Sequence, residues 1–324
     1  MYENAWQVLS VVLLAGHLAA MNVAAAGPLV AAWMMGGQPA AGNAAHRPGR
    51  RLAEVALAAL LVGAVLGGAL ILVPGSRLRD ALARFPMNAY AFAGLELIFS
   101  AACIAIQIVA SRRQPARRWL AWGLAVASST NLLYHFPPWM TVIGKLAANP
   151  HWADHKEIDR PALLRLWMRP EVLAQWAHFV LASLAASAIA ALWLDGSVDD
   201  REATAQSKSF RRLAAFALAT SLLQLPIGVW LLLASERSAR ESMMGGNVTA
   251  TCCFAAGVVG ALMLLQTLSA IALGDTTRTM RRRAGWLLLA VVVLMAATLR
   301  ASRLAERNAA ALAGAPHGAA HEGK

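Results

Sequence analysis

The chain carries little charge for its length. Only 14% of its 324 residues are Asp, Glu, Lys or Arg, while 58% are hydrophobic. A soluble domain of this size is about one quarter charged, so the balance argues against one. Cysteine is also scarce. Cys103, Cys252 and Cys253 all lie inside apolar stretches, and the adjacent pair cannot close an ordinary structural bridge. No C-x-x-C-H motif occurs, which excludes covalent c-type haem by that signature. A Gly-rich phosphate loop and a zinc-type Cys/His cluster are absent too.

What is present is a series of apolar runs of about 18 residues or more. A bilayer core takes roughly 20 apolar residues per helix. Lipid offers no water to backbone groups, so such runs must be helical. The pattern predicts an all-α integral membrane protein with about eight transmembrane helices, over 6–35, 52–73, 88–110, 118–141, 171–194, 211–234, 246–273 and 284–302. The transmembrane domain extends over 1–308. The polar Ala/Gly/His tail, 309–324, reads as disordered. Glu3 precedes the first run and no basic segment does, so that run reads as a retained helix rather than a cleaved signal peptide.

The net charge of +12 points to loops rather than to nucleic acid. Arginines cluster in the short breaks, as in "SRRQPARR" and "RTMRRR". The breaks near 36–51, 111–118, 195–212 and 274–283 are the more densely basic and carry fewer acids. By the positive-inside rule they are cytoplasmic. Both termini then face outward, toward the periplasm of a bacterial inner membrane. An internal echo joins the first and fifth runs: His17 precedes Trp33, and His178 precedes Trp193, each across an Ala-rich stretch. The echo suggests two four-helix halves.

Ionisable residues at membrane depth are costly and are functional candidates. Four stand out: His17, Glu96, His135 and His178. Counted inward from the outer face, His17 and His178 lie roughly 16 and 10 Å deep at 1.5 Å per residue. Glu96 lies about eight residues into the third run, and His135 near the outer end of the fourth. All four fall toward one side of the bilayer, as a shared cofactor or proton site requires. A histidine that ligates iron through one nitrogen needs a hydrogen-bond partner for the other. Ordinary alternatives stand beside each reading: a helix-to-helix hydrogen bond for His17, small-residue packing around His178, a wetted interface for His135, and a structural glutamic acid for Glu96. Met243 and Met244 open the seventh run, and a thioether opposite an imidazole is a known haem pair.

Several stretches, in order, resemble subunit I of the cytochrome bd quinol oxidases. "HLAAMNVAAAGPL" resembles the first helix with its high-spin haem histidine, which implies His17. "FAGLELIFSAA" resembles the third helix with its glutamate, which implies Glu96. "LAWGLAVASSTNLLYHFPPWMTVIGKLAANP" resembles the fourth. "QWAHFVLASLAASA" resembles the fifth with the low-spin haem histidine, which implies His178. "SMMGGNVTATCCFAAGV" is a looser match to the helix bearing the axial methionine, implying Met243 or Met244. The chain departs from that family in lacking its long quinol-binding loop, the second glutamate of the third helix, the "GRQPW" segment and the ninth helix with its glutamate ligand.

The resemblance implies a shortened relative holding one or two b haems. It would pass electrons between a membrane quinol and a periplasmic acceptor such as a c-type cytochrome, beside other respiratory-complex subunits. Reduction of oxygen or nitric oxide at an open haem site is a second reading. A non-haem, proton-coupled transporter lined by Glu96 and the histidines is a third.

Overall fold

The computed structural model describes residues 2–36, 47–75, 77–111, 118–194 and 203–313. Among these, seven helices are long and apolar enough to cross a membrane. They are α1 (Tyr2–Gly36), α2 (Arg47–Leu72), α4 (Met87–Ala110), α8 (Pro170–Leu194), α9 (Ala203–Ala234), α11 (Val248–Leu273) and α12 (Arg278–Ala313). The protein is thus an all-α, multi-pass membrane protein. The eighth crossing, α5 (Arg118–Tyr134), is 17 residues long. The sequence reading carried this run on to residue 141. The chain instead bends at His135 and restarts as α6 (Phe136–Ala148), with prolines 137 and 138 in its first turn. Proline lacks the amide needed to continue a helix but suits the start of the next one.

Another boundary moves. The last helix runs to Ala313, well past residue 302, and takes in Arg300, Arg303 and Glu306. The expected tail therefore gives up 309–313 to a helix, and its remainder lies outside the described residues. The stretch 142–170, between the fourth and fifth runs, is largely structured. It contains the end of α6, a turn at Pro150–Trp152, and α7 (Arg160–Trp167). Asp159 caps α7 by accepting the Ala162 amide at 2.9 Å.

The eight crossings form two four-helix halves. In one, α1 packs on α2, α2 on α4, α4 on α5, and α5 back on α1. In the other, α8, α9, α11 and α12 close in the same order. The halves meet where α1 lies beside α8, the first helix of each half. Within the first half, small residues let α1 and α2 approach closely, the usual source of association in lipid. A Cβ on Gly27 would stand 2.8 Å from that of Ala56, and one on Gly49 would stand 2.9 Å from the Ala31 carbonyl. Gln107 donates to the carbonyl of Pro28 at 3.0 Å, satisfying a group near the proline inside α1.

Two hydrophobic cores hold the molecule together. One fills the half of the bundle nearer residues 36 and 47 and includes Val30, Leu52, Ile104, Ile189, Leu213 and Leu268. The other lies under a cap at the opposite end, built from α3 (Leu78–Leu82), α6, α7 and the starts of α4 and α8. Phe85, Trp139, Val142, Leu146, Trp152 and Ile158 are at its centre. Arg84 pins this cap by donating to the carbonyls of Pro150 at 2.7 Å and Ala153 at 2.9 Å. Between the cores the helices pass with little mutual burial. No residue is buried from Gly16 to Met21, from Gln175 to Ala182, or from Ser221 to Ala234.

Candidate functional site

His17 and His178 both lie in this sparsely packed layer. Their helices run in the same direction, away from the cap. They are joined where Ser183 Oγ lies 2.8 Å from Asn22 Oδ1 and Ser187 Oγ lies 3.4 Å from the Asn22 carbonyl. His17 is five residues before Asn22, and His178 is five before Ser183. The two imidazoles therefore sit at one height, roughly 7.5 Å toward the cap from the Asn22–Ser183 contact.

His17 has the hydrogen bond that a ligand role calls for. Its Nδ1 lies 2.8 Å from the carbonyl of Gly63 on α2. That carbonyl can only accept, so Nδ1 carries the proton and Nε2 keeps its lone pair. The ring lies flat enough on α2 that a Cβ on Gly67 would approach Cε1 to 2.9 Å. Met21, one turn along, rests on Gly63 in the same way. The sequence reading missed this seat, although the Gly63-x-x-x-Gly67 spacing marks a surface that another helix can approach.

His178 is placed differently. Its Nδ1 is covered, yet it has no hydrogen-bond partner among the described residues. A covered polar atom left unpaired costs about 1–3 kcal/mol, so the geometry leaves a binding capacity unused. Ala182, Ser183, Ala185 and Ala186 follow it and keep that face of α8 thin.

Glu96 and His135, read separately from the sequence, form one unit. Glu96 Oε1 accepts from His135 Nδ1 in a close hydrogen bond. Asn131 ties the pair to α4, with Nδ2 donating at 2.8 Å to the Glu96 carbonyl and lying 2.8 Å from Ser100 Oγ. Its Oδ1 is 3.2 Å from the same imidazole nitrogen. Tyr134, Phe92 and Trp167 surround the His135 ring at centroid distances of 5.1, 6.2 and 6.4 Å.

Met243 and Met244 sit at the entrance to the helix of the seventh run. They lie in a single wide turn, 242–246, at the cap-side entrance to α11, and pack mainly with α10 (Arg237–Glu241), α11 and α12. Met244 is 65% exposed. Gly245, at φ 115°, makes the turn and donates to Thr251 Oγ1 at 3.0 Å.

No known family, curated protein or solved structure matches the chain. The site's own chemistry carries the rest. Among the described residues no group of three or more His, Cys, Asp or Glu side chains could hold a bare metal ion. A metal held mostly by its own macrocycle needs only one or two protein ligands, and His17 and His178 can each supply one.

One polar cluster escaped the sequence reading altogether. Lys145 on α6 donates to Glu306 on α12 at 2.8 Å, with only 4% of the glutamate side chain exposed. Arg303 rests against Gly144, where a Cβ would meet its guanidinium. Glu236, just before α10, faces Glu306, and burial together with that carboxylate pushes its own carboxyl up. Lys145 and Glu306 are 161 residues apart, and no local motif announces such a pair.

Proposed function

We propose that the protein is a haem-b-binding membrane subunit. It would carry electrons from a lipid-soluble quinol to a periplasmic acceptor such as a c-type cytochrome, within a respiratory complex of a bacterial inner membrane. One observation carries this reading. Two imidazoles, one with Nδ1 fixed by the Gly63 carbonyl and Nε2 left as an acceptor, the other with a covered and unpaired Nδ1, lie at one height on adjacent parallel helices.

His17 would ligate through Nε2, its ring fixed by the Gly63 carbonyl, which also raises the basicity of the ligating nitrogen. His178 would ligate from α8 in the other half. Bound b haem supplies a reversible one-electron iron couple, and the chain's part is to fix the ligands and set the polarity around them. The resemblance to subunit I of the cytochrome bd oxidases supports the same roles for these two residues. The missing segments of that family weigh against a complete oxygen-reducing centre and leave electron transfer as the better-supported activity.

Visible spectroscopy of the purified protein tests the reading. Reduced b-type bands should appear and should fall by at least half in His178→Ala, with pyridine haemochrome analysis giving one or two haems per chain. A colourless protein from haem-replete cells would sink it and turn attention to the transporter reading, in which Glu96 and the histidines line a proton path. Carbon monoxide added to the reduced protein separates electron transfer from gas reduction. A shifted spectrum would favour an open haem site and the oxidase or nitric oxide reductase reading.

A further inference from the structure

We infer that the Glu96–His135 pair is the seat of the quinol headgroup. This rests on the electron-transfer reading above and locates where its donor enters.

The imidazole is oriented by its partners. Glu96 Oε1 and Asn131 Oδ1 both face Nδ1, and both are acceptors. Nδ1 therefore carries the proton. Nε2 is left as an acceptor with no partner among the described residues. The His135 side chain is 37% exposed, whereas the Glu96 side chain is only 12% exposed. The pair thus presents one acceptor nitrogen outward, backed by a shielded carboxylate.

The surroundings select the ligand. Phe92, Tyr134 and Trp167 supply ring faces around the imidazole. Tyr134 also packs edge-on to Trp167 and Trp176 at 5.9 and 5.7 Å. The indole N–H of Trp176 is spent on the Leu133 carbonyl at 2.6 Å. That of Trp167 is covered and has no acceptor among the described residues. Beside them, Phe92, Leu95 and Phe99 expose apolar surface on α4, on a helix long and apolar enough to lie in lipid. A ligand for this place has a flat ring, a hydroxyl to donate to Nε2, and an apolar tail lying along α4. A lipid-soluble hydroquinone has all three.

The same geometry gives the proton a destination. Oxidation of the hydroquinone releases two electrons and two protons. Bound haem would take the electrons one at a time, either one at each of two ferric irons or the second at a single iron once the acceptor has removed the first. The first hydroxyl proton goes to His135 Nε2, and the resulting imidazolium is paired with the Glu96 carboxylate. That proton then leaves to water at the cap side, which frees Nε2 for the second. General-base help of this kind is worth about 10²–10⁴-fold in rate.

Two readouts test the assignment. The first needs no haem: an azidoquinone photolabel is reacted with the purified protein in nanodiscs, and the labelled peptides are mapped. Label is expected within 92–99, 131–139 or 164–168, with yield at least tenfold lower in His135→Phe. The second is reduction of the b bands by duroquinol. It should slow at least tenfold in His135→Phe and in Glu96→Gln, while dithionite still reduces both fully. Phe92→Ala guards against misfolding. Phe92 is 59% exposed, so its loss should leave the melting temperature unchanged yet cut labelling about threefold. Label confined to other segments, or wild-type labelling and reduction in His135→Phe, would overturn the assignment. If the protein binds no haem, the electron-transfer reading fails on its spectrum, and the photolabel map alone decides whether this site takes the ring.

Discussion

His17 illustrates how much one hydrogen bond decides. A histidine inside an apolar helix has two equivalent-looking nitrogens until a neighbour chooses between them. The Gly63 carbonyl chooses Nδ1, and the imidazole can lie there only because Gly67 has no side chain. Gly67→Ala would drive its methyl into the ring. The expected cost is about 1–3 kcal/mol, as for other overpacked sites, together with a drop in haem content measured as the haemochrome-to-protein ratio. Wild-type haem content in Gly67→Ala would mean that the His17 position does not matter to the cofactor. Nothing in the run around His17 says where its ring points. That depends on a residue 46 positions away.

At the scale of elements, the clearest departures from a simple row of spans occur where polar groups meet helix ends. α5 stops at Tyr134 because prolines 137 and 138 follow, and this stop places His135 beside Glu96. The start of α10 gives a second case. Glu236 meets Glu306 from α12, Lys145 from α6, and Arg169 and Glu171 at the start of α8. Its carboxyl is raised above the ordinary value of 4.5, mainly by burial and then by Glu306. The folded state therefore binds this proton more tightly than the unfolded chain does. The group's stabilising contribution is full below pH 4.5 and is lost as pH rises through the raised value. Glu236→Gln should melt about 1–2 °C above the wild type at pH 8, with the gap closing near pH 4. A gap that does not depend on pH would rule out this titration as its cause.

For the molecule as a whole, the buried Lys145–Glu306 pair is a polar contact that fastens the cap to the bundle. Removing Lys145 leaves the buried Glu306 carboxylate without its hydrogen-bonded partner, with Arg303 the nearby cation that remains. Lys145→Met should cost about 3–5 kcal/mol, and Lys145→Met with Glu306→Met should recover most of it. Melting temperature checks the sum, and amide exchange in 136–167 checks that the loss is felt in the cap. Equal destabilisation by the single and double variants would show that the charge pair is not the fastener.

Sequence alone specified the fold class, the approximate spans and the ionisable residues set inside apolar runs, because lipid forces such runs into helices and an ionisable group within one stands out. It also suggested two halves, through the repeated His–Trp spacing. Other features rested on tertiary structure alone. The equal height of His17 and His178, the union of Glu96 with His135, the Gly63–Gly67 seat and the Lys145–Glu306 clasp all join residues distant in the chain. Local pattern reports how each segment meets lipid. Which helix stands beside which, and at what register, is set by small-residue packing and single hydrogen bonds between helices, and those leave almost no trace in the run of either helix alone.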